Sequence, residues 1–172
     1  GPGYWLVGTS NGSSFDTKTA WCQWAPTENW SNLRVGDFNA DGKDDLIAQD
    51  DAGRWIVSLS TGSAFNKSTW GLWTPSVAMS DILVGDFNND GRDDLAGRDN
   101  VGRWMVSLST GSSSTKSVWG RWSPSLAYSN VQVGDFNNDG RADIAGRDST
   151  GRWLVNVATV SSSFTRAVWG RW

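Results

Sequence analysis

The 172-residue sequence contains no histidine, one cysteine, and only two tyrosines and two methionines. Without histidine it lacks the commonest general base and the commonest transition-metal ligand. The single thiol, Cys22, excludes an intramolecular disulfide and reads as a small buried apolar residue. No apolar run nears the roughly 20 residues that span a bilayer, so membrane insertion is not expected. Gly1-Pro2 reads as a scar of tag cleavage, so the opening residues carry no information about a secretory leader. Charge of one sign is missing too. With 15 basic and 18 acidic residues the net charge is −3, which gives no electrostatic case for binding nucleic acid or an anionic membrane.

What the sequence does have is tryptophan, 13 residues of it, where average usage would give about two or three. The tryptophans are periodic. Trp55, Trp104 and Trp153 are spaced by 49 residues, as are Trp21, Trp70 and Trp119, with Trp169 following after 50. Asp37, Asp86 and Asp135 keep the same interval, each opening an acidic string such as "GDFNNDGRDDLAGRD". A fixed period near 50 residues belongs to solenoids or propeller blades.

Inside each unit the alternation has a period of two. In "GRWIVSLST", Trp55, Val57 and Leu59 share one face and Ile56, Ser58 and Ser60 the other. Short turns such as "DDAG" and "STGSAF" separate the runs. Four short antiparallel strands per unit predict an all-β fold of propeller blades, with no helical periodicity anywhere. Residues 1–172 read as one array: a half blade at 3–24 carrying only the last two strands of a unit, then blades at 25–73, 74–122 and 123–172. That gives fourteen strands and leaves blade faces and strand edges open, so a partial propeller, or a homo-oligomer completing a ring, is expected.

The acidic loops follow one plan. Side-chain oxygens stand at positions 1, 3, 5 and 9: Asp37, Asn39, Asp41 and Asp45; Asp86, Asn88, Asp90 and Asp94; Asp135, Asn137, Asp139 and Asp143. Position 6 is Gly42, Gly91 or Gly140, where the chain must turn sharply. Position 7 is Lys43, Arg92 or Arg141, which can offer only a backbone carbonyl. Hard oxygen donors at alternating positions around a glycine turn are the chemistry of Ca²⁺, with Mg²⁺ ranked second. An ordinary Asx-rich turn is the competing reading. Threefold repetition of one spacing favours three Ca²⁺ sites, because carboxylates crowded round a turn repel unless a cation sits among them. Position 8 is Asp44, Asp93 or Ala142, and this variation marks it as a solvent-facing bystander.

The strings resemble the FG-GAP (VCBS-type) repeat of integrin α-subunit propellers and many bacterial surface and secreted proteins. All three fit that family's calcium motif D-x-[DN]-x-D-G-x-x-D, and the Trp-rich segments "GRWMVSLSTGS" and "WGRW" look most like its bacterial versions. The likeness covers Leu33 to Trp172, with Gly3 to Trp24 as a partial copy lacking its loop. The resemblance implies a loop joining the first two strands of each blade and a calcium-stabilised structural or adhesion module. It also implies a bacterial extracellular or cell-surface location. A carbohydrate-binding propeller is the second function class, with tryptophans stacking on a glycan and a protein ligand as the other partner. The W-x-x-W pairs Trp70/Trp73, Trp119/Trp122 and Trp169/Trp172 point to opposite faces of a regular strand, which suits packing between blades better than a one-sided platform. Catalysis is not expected. No nucleophile–base pair can be assembled, and the Arg98/Asp99 and Arg147/Asp148 neighbours read as turn or inter-blade ion pairs.

Overall fold

The period-two segments form strands. A computed structural model describes residues 3–74 and 76–172, and the Gly1-Pro2 reading lies outside them. The half blade is a hairpin of β1 (Tyr4–Val7) and β2 (Thr19–Gln23). The first blade is β3 (Ser31–Gly36), β4 (Asp45–Gln49), β5 (Arg54–Ser60) and β6 (Phe65–Leu72). The second is β7 (Met79–Gly85), β8 (Asp94–Asp99), β9 (Arg103–Ser109) and β10 (Ser114–Arg121). The third is β11 (Tyr128–Gly134), β12 (Asp143–Asp148), β13 (Arg152–Ala158) and β14 (Phe164–Arg171). Each blade is an antiparallel sheet in simple up-and-down order, and no helix occurs among the described residues. The first strands β3, β7 and β11 neighbour one another along the inner side, and the last strands β2, β6, β10 and β14 along the outer side. The blades stack in an arc that does not close.

Core lies between blades rather than inside any one. One cluster joins Phe38, Trp55, Val57, Trp70 and Trp73 of the first blade to Ile82 and Leu95 of the second. The next joins Phe87, Trp104, Val106, Trp119 and Trp122 of the second blade to Ile144 and Leu154 of the third. This explains why the central strands are buried on both faces. On β5 the Trp55 face meets the following blade, while Ser58 on the other face accepts a hydrogen bond from Trp24 Nε1 of the half blade at 3.0 Å. Each blade therefore depends on its neighbours, as expected for a repeat array.

The paired tryptophans differ from the sequence expectation. Trp70 and Trp73 enter the same inter-blade cluster, as do Trp119 and Trp122. The register of β5 with β6 shifts between Trp55 and Ile56, whose partners are Gly71 and Thr69. Trp70 is thus the extra residue of a β-bulge, which turns it onto the side that Trp73 occupies. Cys22 is also only half-buried, because β2 belongs to an incomplete blade.

Close approach sets one further requirement. A Cβ on Gly146 would lie 2.7 Å from Cη2 and 2.9 Å from Cζ3 of Trp122, the indole that the second blade inserts there. The matching position of the first blade is Ala48, fully buried, so one methyl can be absorbed at this kind of position. Two more cannot. Gly146→Val is expected to lower the unfolding free energy by about 1–3 kcal/mol through overpacking, measured by urea denaturation.

Candidate metal centres

Each acidic loop joins the first strand of a blade to the second, where the sequence placed it. Two residues in each loop take left-handed backbone: Gly42, Gly91 or Gly140 at position 6, and Ala40, Asn89 or Asn138 at position 4. Asparagine accepts that conformation readily, and Ala40 less so. The second left-handed residue escaped the sequence reading, although "NND" in two loops signals it.

The side-chain oxygens turn inward on the loop's own amides. Asp37 accepts from the amides of Asp41 (3.2 Å) and Gly42 (2.8 Å), and Asn39 Oδ1 also accepts from Asp41 (3.1 Å). Asp86 and Asn88 share the Asp90 amide in the same way, at 3.1 and 3.2 Å, and Asp135 and Asn137 share that of Asp139, both at 3.2 Å. Two acceptors on one N–H must lie close together, so positions 1 and 3 converge in all three loops. Position 5 accepts at Oδ1 from the amide of position 7: Asp41 from Lys43, Asp90 from Arg92, Asp139 from Arg141. Its Oδ2 pairs with the position-7 side chain, at 3.1 Å for Lys43 and 2.9 Å for Arg141, and with Arg92 in the middle loop. Position 7 therefore brings a cation to the loop as well as a carbonyl.

Position 9 has a role the sequence reading did not assign. Asp45 is fully buried, and its two oxygens accept from the amides of Phe38 (3.0 Å) and Ser60 (2.7 Å). Asp94 does the same with Phe87 and Ser109, and Asp143 with Phe136 and Ala158. One carboxylate thereby ties the loop to the end of the blade's third strand. Both partners, one in the loop and one on that strand, are main-chain groups, so no residue type announces them in the sequence.

The charges are strained as placed. Burial pushes the Asp45 and Asp143 carboxyls above their ordinary value and takes Asp94 to about 7, with the neighbouring charges of Asp90 and Asp86 adding to the effect on Asp94. The hydrogen bond from Lys43 holds Asp41 low, and the Arg141 amide, then Asn137, hold Asp139 low. Among the described residues no three Asp, Glu, Cys or His side chains converge tightly enough to form a metal cluster. The donor chemistry nonetheless fits a hard cation, since each carboxylate oxygen that accepts one hydrogen bond keeps a second lone pair.

Position 8 needs correction. Asp44 is exposed, as expected, but Asp93 is not a bystander. Its carboxylate accepts from the Asp37 amide at 2.9 Å and its own amide donates to the Asp37 carbonyl at 2.8 Å, clamping the preceding blade's loop. Ala142 keeps the main-chain half of that clamp, donating to Asp86 O at 2.7 Å. Position 8 of one blade thus reports on the loop of the blade before it, a relation that comparing loops with one another cannot reveal.

The arginine–aspartate neighbours also separate. Asp99 accepts from the amide and Nε of Arg103, closing the turn into β9, while Arg98 pairs with Asp81 at 2.7 Å and lies 4.7 Å from the Tyr128 ring. Asp148 does for Arg152 what Asp99 does for Arg103, and Arg147 donates to the Trp172 carbonyl. Adjacent residues on a strand face opposite ways, so they cannot pair with each other.

Four-stranded antiparallel sheets stacked face to face, each opened by the same nine-residue acidic loop, define a β-propeller-type repeat protein. A family model described as FG-GAP-like repeat matches residues 37–97 and again 86–146. The chain belongs to that family. Each match runs from one acidic loop through the next, so the recognised unit spans a junction between blades. No curated protein matches the chain. Repeats of this family are structural and adhesion modules.

Proposed function

We propose that each loop holds one Ca²⁺ and that the chain is a calcium-stabilised structural or adhesion module working outside the cell. The carrying observation is the threefold constellation in which the oxygens of positions 1 and 3 converge on one amide beside the carboxylates of positions 5 and 9. Asp37, Asn39, Asp41 and Asp45 would supply side-chain oxygens in the first loop, with the carbonyl of Lys43. Asp86, Asn88, Asp90 and Asp94, with the carbonyl of Arg92, would do so in the second, and Asp135, Asn137, Asp139 and Asp143, with the carbonyl of Arg141, in the third. A bound dication offsets the mutual repulsion of the carboxylates and the cost of burying position 9. Three of them change the formal charge from −3 to +3. Millimolar extracellular calcium suits loops of this kind, which supports a secreted or surface location.

Native mass spectrometry in calcium acetate tests this. Three ions per chain are expected, two for Asp86→Ala and two for Asp135→Ala, with magnesium binding more weakly. A chain that carries no calcium at about 1 mM overturns the reading. The glycan alternative is weaker, because Trp55, Trp70, Trp73, Trp104, Trp119 and Trp122 are all buried and unavailable to a sugar ring, which leaves it Trp169 and Trp172 of the paired indoles.

A further inference from the structure

The first acidic loop is held from outside by the second blade, at two successive residues. Asp93 Oδ2 accepts from the Asp37 amide at 2.9 Å, and the Asp93 amide donates to the Asp37 carbonyl at 2.8 Å. Both main-chain groups of position 1 are thereby fixed by the next blade. A second tie reaches position 2. Ser109, at the end of β9, is buried, and its hydroxyl accepts from the Gly111 amide at 3.0 Å and donates to the Phe38 carbonyl.

These ties join one loop to the next. The Phe38 amide donates to Asp45 at 3.0 Å, and the Ser109 amide donates to Asp94 at 2.7 Å. One run of hydrogen bonds therefore leads from the position-9 carboxylate of the first loop, through Phe38 and Ser109, to that of the second. At the following junction the run is broken. Ala142 and Ala158 stand 49 residues after Asp93 and Ser109, and neither side chain can donate or accept. What remains there is main chain: the Ala142 amide donates to the Asp86 carbonyl at 2.7 Å, and the Ala158 amide to Asp143 at 2.8 Å.

We propose that Asp93 and Ser109 are positioning residues of the first metal centre, which is thereby assembled from two blades. The role presupposes that the loop holds calcium. Neither residue belongs to the first loop's own donor set, so both act through the backbone of Asp37 and Phe38. Asp37 aims its carboxylate into the loop only while the chain on either side of its Cα is held. Pinning its N–H, its carbonyl and the next carbonyl removes freedom that binding would otherwise have to remove. Outer groups that orient a metal's ligands typically change its affinity about 10–100-fold. An ion held in this loop then ties the first blade to the second as well as β3 to β4.

A calcium chloride titration of the isotope-labelled full chain, followed by NMR, decides it. The amides of Gly42, Gly91 and Gly140 each donate to the position-1 carboxylate of their own loop at 2.8 Å, so each reports one site. Asp93→Ala combined with Ser109→Ala installs the residues that the following junction already carries, and the fold is expected to be kept. The midpoint at Gly42 is expected to rise about 10-fold, although both substitutions lie outside the first loop. Gly91, in whose loop Asp93 stands, is expected to move less, and Gly140 not at all. Asp93→Asn separates position from charge, because its side-chain oxygen still accepts from the Asp37 amide. Its Gly42 midpoint is expected to stay near that of the wild type. An unshifted Gly42 midpoint in the double variant, an equal loss at Gly91, or an asparagine variant that weakens the first site as alanine does would each overturn the proposal. Three glycines that all ignore calcium would overturn the calcium reading itself, and the positioning role with it.

Discussion

Replacing Trp122 with alanine is expected to lower the unfolding free energy by about 3–5 kcal/mol, while Trp172→Ala, measured at dilution, stays within about 0.5 kcal/mol of wild type. The two residues occupy the same place in successive blades. Trp122 is fully buried, lies edge-on to Trp104 at 5.1 Å, overlaps Tyr128 at 4.6 Å, and donates from Nε1 to Asn156 Oδ1 at 2.9 Å. Truncation removes all three contacts, leaves a cavity at the junction and strips Asn156 of a buried partner. Trp172 keeps its edge contact with Trp153 at 5.5 Å but is mostly in water. Equilibrium urea unfolding of both variants gives the comparison directly. Equal losses would mean that blade stability is internal to each sheet and that the packing between blades contributes little.

That contrast also shows what could be read in advance. The repeat period, the strand alternation and the loop spacing are local properties, so blades, strand number and loop positions could all be stated from residues. The half blade was legible because "GYWLVGTSNGSSF" aligns with the third strand of every unit. Other features were not legible, because they are relations between units. Asp93 looked dispensable since Ala142 replaces it within the repeat, yet its partner is Asp37 of the preceding blade. The bulge at Trp70 reversed the expected direction of one tryptophan in each pair, and bulges depend on strand pairing rather than on composition. The position-9 aspartates were read only as ligands, because their partners are backbone amides that carry no residue signature. In a repeat array, intra-unit structure is written in each copy, whereas inter-unit chemistry emerges only when copies are stacked.

Calcium is expected to raise the melting temperature by about 10–30 °C at pH 8, and far less at pH 5. For free calcium of about 1 mM and dissociation constants on the order of 10⁻⁵–10⁻⁴ M, each site adds roughly 1.4–2.7 kcal/mol. Three sites add about 4–8 kcal/mol, at about 2–4 °C per kcal/mol for a chain of this size. The pH dependence follows from the buried carboxylates. In chelator, Asp94 titrates near 7 when folded against 3.8 as the ordinary value, and Asp45 and Asp143 are raised in the same direction. Between those two values the folded chain binds more protons than the unfolded one, so its stability falls as pH rises from about 4 to about 7. For Asp94 the difference is worth about 4 kcal/mol. The metal requires the same groups deprotonated, so its increment grows across the window in which the metal-free chain weakens. Thermal scans at pH 5, 6, 7 and 8, in calcium and in EDTA, should therefore diverge as pH rises. Parallel curves would show that Asp94 is not part of the binding set. Coincident curves would show that the loops are held by their own amides alone, through the bonds that Asp37, Asp86 and Asp135 already accept.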